Sequence, residues 1–327
     1  MRAVAFKETG GPEVLREVEL PDPVPGPGEV LIAVAWAGVN YGEVQHRLGD
    51  FGDPDGETVT GLEASGTVAA LGPGVTGVAV GDEVAAYLPD GGGYAELAVA
   101  PETFVFPLKG LGLDLRTAGA APLTLTTAHG VLGGAARIAP GDSVLVHAAA
   151  GGVGTVAARL ARALGAGAVY GTVGDPAKSA YAARFGHDAI LPREGFAEAV
   201  RELTGGRGVD VVLDPIGGPT RWESLEALAP FGRVVVYGEA ARHPDLSLPV
   251  LPVWKNNRAL TGYNIGDLAR RAPETLRRHA LAALTLAGSG AVTVDITTEH
   301  PLADAAKAHE VLAAGRNLGK AVLSVNP

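Results

Sequence analysis

The sequence predicts an α/β protein in which a doubly wound parallel sheet of six strands is inserted into a β-rich domain. Three observations indicate this fold. Residues 1–100 consist of short apolar runs separated by Gly and Pro, which is typical of an all-β module. From about residue 116, strands of four to six residues alternate with helices of ten or more, as in βαβ units. A turn of small residues joins one of these strands directly to its helix.

The individual strands follow from the apolar runs. In the β-rich part they are expected at 30–34, 64–71, 83–88 and 94–99, with turns marked by Gly and Pro between them. The parallel sheet is expected to use 143–146, 168–172, 189–191, 209–213, 233–237 and 259–262. A helix at 273–288, a strand at 292–298, a helix at 302–315 and a strand at 320–325 follow. We therefore expect residues 1–118 and 257–327 to form the β-rich domain and residues 119–256 the nucleotide-binding domain.

Composition restricts the function. The 327 residues exceed what one hydrophobic core usually supports, so two domains are expected. There is no run of roughly 20 apolar residues and no secretory signal pattern, which predicts a soluble, cytoplasmic protein without a membrane partner. The absence of cysteine excludes disulfides and thiolate zinc sites. A net charge of −10 disfavours nucleic acid as a partner.

The turn that follows the strand at 143–146 reads Ala149-Ala150-Gly151-Gly152-Val153-Gly154. It matches the fingerprint G-x-G-x-x-G except that Ala149 stands for the first glycine. Such a turn lets the first N–H groups of the next helix approach a pyrophosphate, whose charge the helix dipole favours. We expect Ala150 to Gly154 to bind a dinucleotide. The alternative is a small-residue turn of the kind that any parallel sheet can contain.

The end of the second strand indicates which dinucleotide is bound. Gly174 lies 20 residues after Gly154, where NAD-binding proteins place an acid against the ribose 2′-hydroxyl. Here residues 171–174 are neutral and Lys178 follows, which favours NADPH. Asp175 would repel a 2′-phosphate unless it caps the helix that Pro176 begins. Lys178 has the alternative of being a solvated helix lysine.

Several segments together resemble the zinc-independent quinone oxidoreductases of the medium-chain dehydrogenase/reductase superfamily. They include 38–40, 61–66, 81–84, 93–96, 125–126, 141–162, 214–218 and 308–312, so the resemblance runs nearly end to end. It implies a Rossmann sheet inserted into a GroES-like domain, and a homodimer joined through an edge strand near 246–253 and 259–262. Zinc-dependent relatives hold their metal with a Cys and a His, where this chain has Ala37 and Leu62. No metal is therefore expected, and Glu63 is expected to be a structural hydrogen-bond acceptor.

The resemblance also implies roles for single residues. The pyrophosphate should meet the N–H groups around Gly152 and Val153, and Thr126 and Gly238 should lie at the nicotinamide. Lys178 and Arg316 should contact the 2′-phosphate. A tyrosine that the family places near this phosphate is Pro192 here.

The expected reaction is direct hydride transfer from NADPH to a quinone or an α,β-unsaturated carbonyl, without a metal. Asn40 matches an asparagine that lines the cleft in this family, and Tyr41 and Gln45 are the other polar candidates for a catalytic role. Solvent is a candidate for the final proton source. Two alternatives remain open: an enoyl reductase acting on carrier-bound thioesters, and an NADPH-binding protein with incidental catalysis.

The remaining ionisable residues are expected to be structural. His147 ends a buried strand and is more consistent with a hydrogen-bonded core histidine than with a cofactor ligand. A group of arginines is expected on solvated helix faces, namely Arg201, Arg207, Arg270, Arg271, Arg277 and Arg278.

Overall fold

The computed structural model describes residues 1–243, 247 and 250–326. In chain order the strands are β1 (Arg2–Phe6), β2 (Arg16–Glu19), β3 (Glu29–Val39), β4 (Thr58–Val59), β5 (Glu63–Leu71), β6 (Glu83–Tyr87), β7 (Leu97–Pro101), β8 (Val105–Pro107), β9 (Ser143–Val146), β10 (Ala168–Val173), β11 (Ala189–Pro192), β12 (Val209–Asp214), β13 (Leu228–Val236), β14 (Ala259–Gly262), β15 (Ile296–Pro301) and β16 (Lys320–Ser324). The α-helices are α1 (Tyr41–Arg47), α2 (Leu115–Ala118), α3 (Pro122–His129), α4 (Gly152–Ala163), α5 (Ser179–Ala182), α6 (Phe196–Leu203), α7 (Gly218–Glu226), α8 (Val250–Lys255), α9 (Ile265–Arg271), α10 (Pro273–Gly288) and α11 (Ala305–Ala313).

The chain divides into two compact units. Unit 1 contains Met1–Thr126, Ala269–Gly290 and Val294–Pro327, and unit 2 contains Thr127–Leu268 with Ala291–Thr293. No helix among the described residues is both long enough and apolar enough to cross a bilayer.

Unit 2 is built on the predicted doubly wound sheet. Its six strands are all parallel and lie in the order β11-β10-β9-β12-β13-β14. The strand order reverses between β9 and β12, and in such sheets ligands bind at the carboxyl ends of the strands beside this reversal. The central strands β9 and β12 are buried almost throughout and rich in Val and Leu, as expected where helices cover both faces of a parallel sheet, whereas the edge strands β11 and β14 are half-buried or exposed.

Unit 1 contains a seven-stranded sheet in the order β15-β16-β3-β5-β6-β8, with β7 also paired to β3, and a three-stranded sheet in the order β2-β1-β4. The 11 residues of β3 form its centre; their side chains alternate between half-buried and buried from Glu29 to Val34 and are buried from there to Val39. The C-terminal strand β16 pairs antiparallel with β3, so both ends of the chain contribute to this unit.

Several elements differ from the predicted ones. Strand β3 extends to Val39 rather than ending at residue 34, β7 begins at Leu97 rather than at residue 94, and helices α6 and α7 have 8 and 9 residues rather than ten or more. The strand expected at 292–298 begins only at Ile296, and the helix expected at 302–315 starts with a single 3-10 turn and ends at Ala313. Strand β13 begins at Leu228, although Pro230 and Gly232 predict a turn there. Phe231 has a φ of 64° and the pairing with β12 shifts register at this point, so a bulge accommodates these residues.

Candidate functional site

The turn between β9 and α4 has the conformation that the sequence predicts, strand to tight turn to helix. Gly151 is the N-cap of α4 in an extended conformation, and its N–H donates to the carbonyl oxygen of Ala148 at 2.8 Å. The left-handed residue of the turn is Ala148, with a φ of 51°, and not one of the glycines. The first N–H groups of the 12-residue helix α4 have no carbonyl acceptor within the helix, so they can donate hydrogen bonds to an anion.

Packing requires a glycine at position 154. A methyl group at this position would overlap the carbonyl oxygen of Ala148 and lie 2.8 Å from the Cα of Ala149. A side chain would therefore push the start of α4 away from the turn. The backbone cradle formed by Ala150 to Gly154 fits a pyrophosphate group, because only main-chain atoms and small side chains line it.

The same turn is attached to the end of β10. The N–H of Ala149 donates to the carbonyl oxygen of Thr172 at 3.0 Å, and a methyl group on Gly171 would lie 2.7 Å from the Cβ of Ala149. The tip of β10 is therefore held beside the turn. At this tip Asp175 accepts a hydrogen bond from the N–H of Ala177 at 2.9 Å, which confirms its predicted capping role.

Arg193, which sequence analysis did not identify, lies at this tip. Val173 pairs with Pro192 across β10 and β11, so Gly174 and Arg193 leave the sheet side by side. A methyl group on Gly174 would lie 2.8 Å from one terminal nitrogen of the Arg193 guanidinium. Burial lowers the pKa of Lys178, and the positive charge of Arg193 lowers it further, although Asp175 opposes both effects. Gly174, Lys178 and Arg193 thus form one positively charged cluster, which we call the β10-tip cluster.

His147 is a core residue, as predicted. Its Nδ1 lies 2.7 Å from Oγ1 of Thr172 and its Nε2 lies 2.8 Å from Oγ of Ser224. The hydroxyl of Ser224 donates to the carbonyl oxygen of Thr220, so the histidine carries its proton on Nε2. Burial lowers the pKa of His147 to about 4, so the ring is neutral at pH 7.

The loop that carries Gly238 is held by Arg221, another residue that sequence analysis did not identify. The Arg221 guanidinium donates to the buried carboxylate of Asp214 at 2.8 Å and to the carbonyl oxygen of Gly238 at 3.1 Å, and it pairs with Glu239 at 2.7 Å. A methyl group on Gly238 would lie 3.0 Å from the carbonyl oxygen of Pro215. Gly238 therefore has a packing reason to be glycine, besides the role that the resemblance implies.

In unit 1, Asn40 belongs to a buried polar network with Glu43, Glu63 and Lys320. The Lys320 ammonium donates to Oε1 of Glu63 at 2.7 Å, to Oδ1 of Asn40 at 2.6 Å and to the carbonyl oxygen of Val39 at 3.0 Å. Nδ2 of Asn40 donates to Glu63 at 3.0 Å and to Glu43 at 3.2 Å. Both polar atoms of the Asn40 side-chain amide therefore form hydrogen bonds with these residues. We call Asn40, Glu43, Glu63 and Lys320 the Asn40 network.

Two carboxylates share one lysine in the Asn40 network. Glu63 also accepts the N–H of Leu123 at 2.8 Å, which confirms its predicted role as a structural acceptor. Glu43 accepts the N–H groups of Asn40 and Leu62. Burial raises the pKa of Glu43 to about 7, although Lys320 opposes the shift.

The other two candidate catalytic residues lie on α1, which Asn40 caps. Tyr41 is the first residue of this helix and is half-buried. The side-chain amide of Gln45 donates to Asp50 at 3.3 Å. The structure thus places Asn40 in the interior of unit 1 and Gln45 nearer the surface.

The remaining predicted site residues belong to unit 1. Thr126 is buried in α3, and Arg316 is exposed, with its guanidinium 3.3 Å from Glu310. Ala37 and Leu62, at the positions of the zinc ligands in zinc-dependent relatives, offer no metal-binding atom in their side chains. Among the described residues no group of three or more His, Cys, Asp or Glu side chains could hold a metal ion.

Comparison with known proteins gives two family matches. Residues 26–110 match the alcohol dehydrogenase GroES-like domain, and residues 152–285 match the zinc-binding dehydrogenase family. The first match falls in unit 1, and the second begins at the first residue of α4.

Full-length relatives are also similar. A 2-haloacrylate reductase from a Burkholderia species is 34% identical over 346 residues, covering 99% of this chain and 98% of that protein. A quinone oxidoreductase from Pseudomonas aeruginosa is 34% identical over 325 residues, covering 98% of this chain and 99% of that protein. The structure of Escherichia coli quinone oxidoreductase complexed with NADPH is similar with a TM-score of 0.91 at 29% identity, covering 99% of this chain and 100% of that one.

Proposed function

This chain belongs to the quinone oxidoreductase family of the medium-chain dehydrogenase/reductase superfamily, and we propose that it reduces quinones or α,β-unsaturated carbonyls with NADPH. The observation that carries the proposal is the backbone cradle before α4, where Gly154 leaves no room for a side chain, beside a β10 tip that carries two cations. The relative that acts on 2-haloacrylate supports an electron-poor double bond as one acceptor class.

The residues of unit 2 bind and orient the cofactor in this proposal. The N–H groups of Gly152 and Val153 bind the pyrophosphate, and the dipole of α4 stabilises its charge. The β10-tip cluster binds the 2′-phosphate, and the loop at Gly238, fixed by Arg221, supports the nicotinamide. When bound, NADPH supplies the hydride.

The residues of unit 1 contribute no metal ligand at the two positions of the zinc site, so the acceptor has to be activated by hydrogen-bond donors. We propose Asn40, Tyr41 and Gln45 for the acceptor side. Because its amide is fully engaged by Glu43, Glu63 and Lys320, Asn40 acts by holding the start of α1 in place. The final proton on the product then comes from solvent.

The test is to follow NADPH and NADH absorbance against a panel of benzoquinones, naphthoquinones and enones, with and without a chelator. We expect oxidation with NADPH preferred over NADH, and rates that the chelator leaves unchanged. Tight NADPH binding without oxidation by any acceptor would instead favour a nucleotide-binding protein. Loss of activity with the chelator would contradict the metal-independent mechanism.

We also propose that two copies pair through the edge of the unit 2 sheet. Strand β14 is an outer strand of this sheet, and Leu260 on it is exposed. Val250, Leu251 and Trp254 of α8, the helix that precedes β14 in the sequence, are also exposed and apolar. Residues 246, 248 and 249 of the predicted interface lie outside the described residues. Light scattering on a sizing column should give a dimer, which Trp254→Asp dissociates and the control Val80→Asp, at an exposed valine of unit 1, does not. A monomeric wild type would contradict the proposal.

A further inference from the structure

We propose that Arg193 is the residue of this chain that discriminates NADPH from NADH, by binding the 2′-phosphate together with Lys178. This inference rests on the proposed NADPH-dependent function and adds a specificity-determining residue to it. Neither the spacing of the fingerprint nor the resemblance assigns a role to Arg193, since the spacing indicates Gly174 and Lys178 and the resemblance implies Lys178 and Arg316.

The position of Arg193 follows from the sheet. Because Val173 pairs with Pro192, the chain leaves β10 at Gly174 and leaves β11 at Arg193 on the same edge. The guanidinium of Arg193 packs against Gly174. A methyl group on Gly174 would lie 2.8, 2.9 and 3.1 Å from three atoms of this guanidinium. Only glycine at position 174 leaves the guanidinium where it is. The backbone conformation at position 174 does not require glycine, so the contact with Arg193 is what explains it.

The charge of Arg193 has no partner among the described residues. Within the part of the chain that the structure describes, its guanidinium makes no hydrogen bond or ion pair, and its buried Nε is among the polar atoms without a partner. Burial lowers the pKa of Arg193, and the nearby Lys178 carries the same charge. Half-buried cations are normally paired, because an unpaired one costs free energy. An anionic ligand would remove that cost.

A phosphate monoester is the anion that fits best. The carboxyl end of the second strand is where such sheets place the adenosine ribose, and the tip of β10 is tied to the pyrophosphate turn through Ala149 and Thr172. A guanidinium can donate two parallel hydrogen bonds to a phosphate, while the lysine adds a point charge. Asp175, the carboxylate beside the tip, is engaged in capping and does not take the place of the ribose-binding acid. NADH would offer no anion to the Arg193 guanidinium, whose Nε has no partner among the described residues.

The experiment isolates the 2′-phosphate. Calorimetry with adenosine 2′,5′-bisphosphate and with 5′-AMP compares two probes that differ only in that group. The wild type should prefer the bisphosphate. Arg193→Gln should bind the bisphosphate about 10- to 100-fold more weakly while its affinity for 5′-AMP changes less than about twofold. The control Arg16→Gln removes the same charge from an exposed strand of unit 1 and should leave both affinities unchanged.

A second variant tests the geometry. Gly174→Ala keeps both cations but displaces the guanidinium, so it should also weaken bisphosphate binding and spare 5′-AMP. If Gly174 acts through Arg193, the double variant should bind no more weakly than Arg193→Gln alone. Arg193→Gln should also raise the melting temperature without ligand, because it removes an unpaired charge beside Lys178, and a merely structural arginine would lower it.

The outcomes separate the two proposals. A wild type that binds both probes equally, or binds neither, contradicts the NADPH-dependent function itself. A wild type that prefers the bisphosphate, together with an Arg193→Gln variant that keeps this preference, overturns the role of Arg193 and leaves the function intact. A variant that loses affinity for both probes equally also overturns the role, since the loss is then structural.

Discussion

Replacing Lys320 with methionine should destabilise unit 1 strongly. The substitution keeps the approximate length of the side chain but removes the cation of the Asn40 network. Nζ of Lys320 lies 2.7 Å from Oε1 of Glu63, and the two side chains are 4% and 0% exposed. It leaves two buried carboxylates without a counter-charge and the carbonyl oxygen of Val39 without this donor. Removing one partner of a buried pair costs about 3–5 kcal/mol of unfolding free energy. The control Lys307→Met removes an exposed i,i+3 pair and should change stability by less than about 0.5 kcal/mol.

The assay is urea unfolding followed by the fluorescence of Trp36, which lies in β3 of unit 1, after Trp222 and Trp254 of unit 2 are replaced by phenylalanine. The pH dependence of the destabilisation is a second measurement. Burial raises the pKa of Glu43 to about 7, so this carboxyl is protonated in the folded state below that pH, and loss of Lys320 raises its pKa further. The penalty of Lys320→Met should therefore be smaller at pH 5.5 than at pH 8. A loss below about 1 kcal/mol at pH 8, or an equal loss at both pH values, would refute this reasoning.

Three further predictions concern the cofactor turn, the core histidine and the acceptor side. Gly154→Ala should weaken NADPH binding at least about tenfold in a fluorescence titration, because its methyl group displaces α4 from Ala148; unchanged affinity would contradict the packing argument. Burial holds the pKa of His147 at about 4 against an ordinary 6.5, so the unfolded state binds the proton first and stability falls as the pH drops through that window, by up to about 3 kcal/mol. His147→Gln should make the urea midpoint depend less on pH between about 4 and 6.5. An unaltered slope would show that other groups cause the loss of stability in this range. Asn40→Ala should lower turnover while NADPH affinity stays nearly unchanged; equal turnover would remove Asn40 from the reaction.

The sequence predicted the parts of the fold that depend on local pattern. Strands β9 and β14 and helix α10 have the predicted bounds. An apolar run marks β9, and a proline marks the start of α10. The start of β13 was missed, since a bulge at Phe231 lets Pro230 and Gly232 lie within a strand.

Site residues were predictable where they follow a local motif. The turn before α4 and the cap at Asp175 each lie within a few residues of chain. The Asn40 network is different, because Lys320 and Glu63 are 257 residues apart and only the pairing of β16 with β3 brings them together. Nothing in the local sequence distinguishes Lys320 from an exposed lysine.

One surface prediction was wrong for a related reason. Arg277 was expected on a solvated helix face, but its guanidinium donates to the carbonyl oxygen of Thr103 at 2.6 Å and lies over the ring of Phe106. The polar face of α10 thus packs on carbonyl groups of the segment between β7 and β8. A charge pattern along a helix cannot show whether water or backbone oxygen receives the hydrogen bonds.

The most direct measurement for the account is the fate of deuterium from NADPH labelled at nicotinamide C4, with an α,β-unsaturated ketone as the acceptor. Direct hydride transfer predicts that mass spectrometry and NMR of the saturated product locate the label on the β-carbon, while the α-carbon carries a proton from water. Label lost to solvent, or no product with any acceptor at saturating NADPH, would contradict the account.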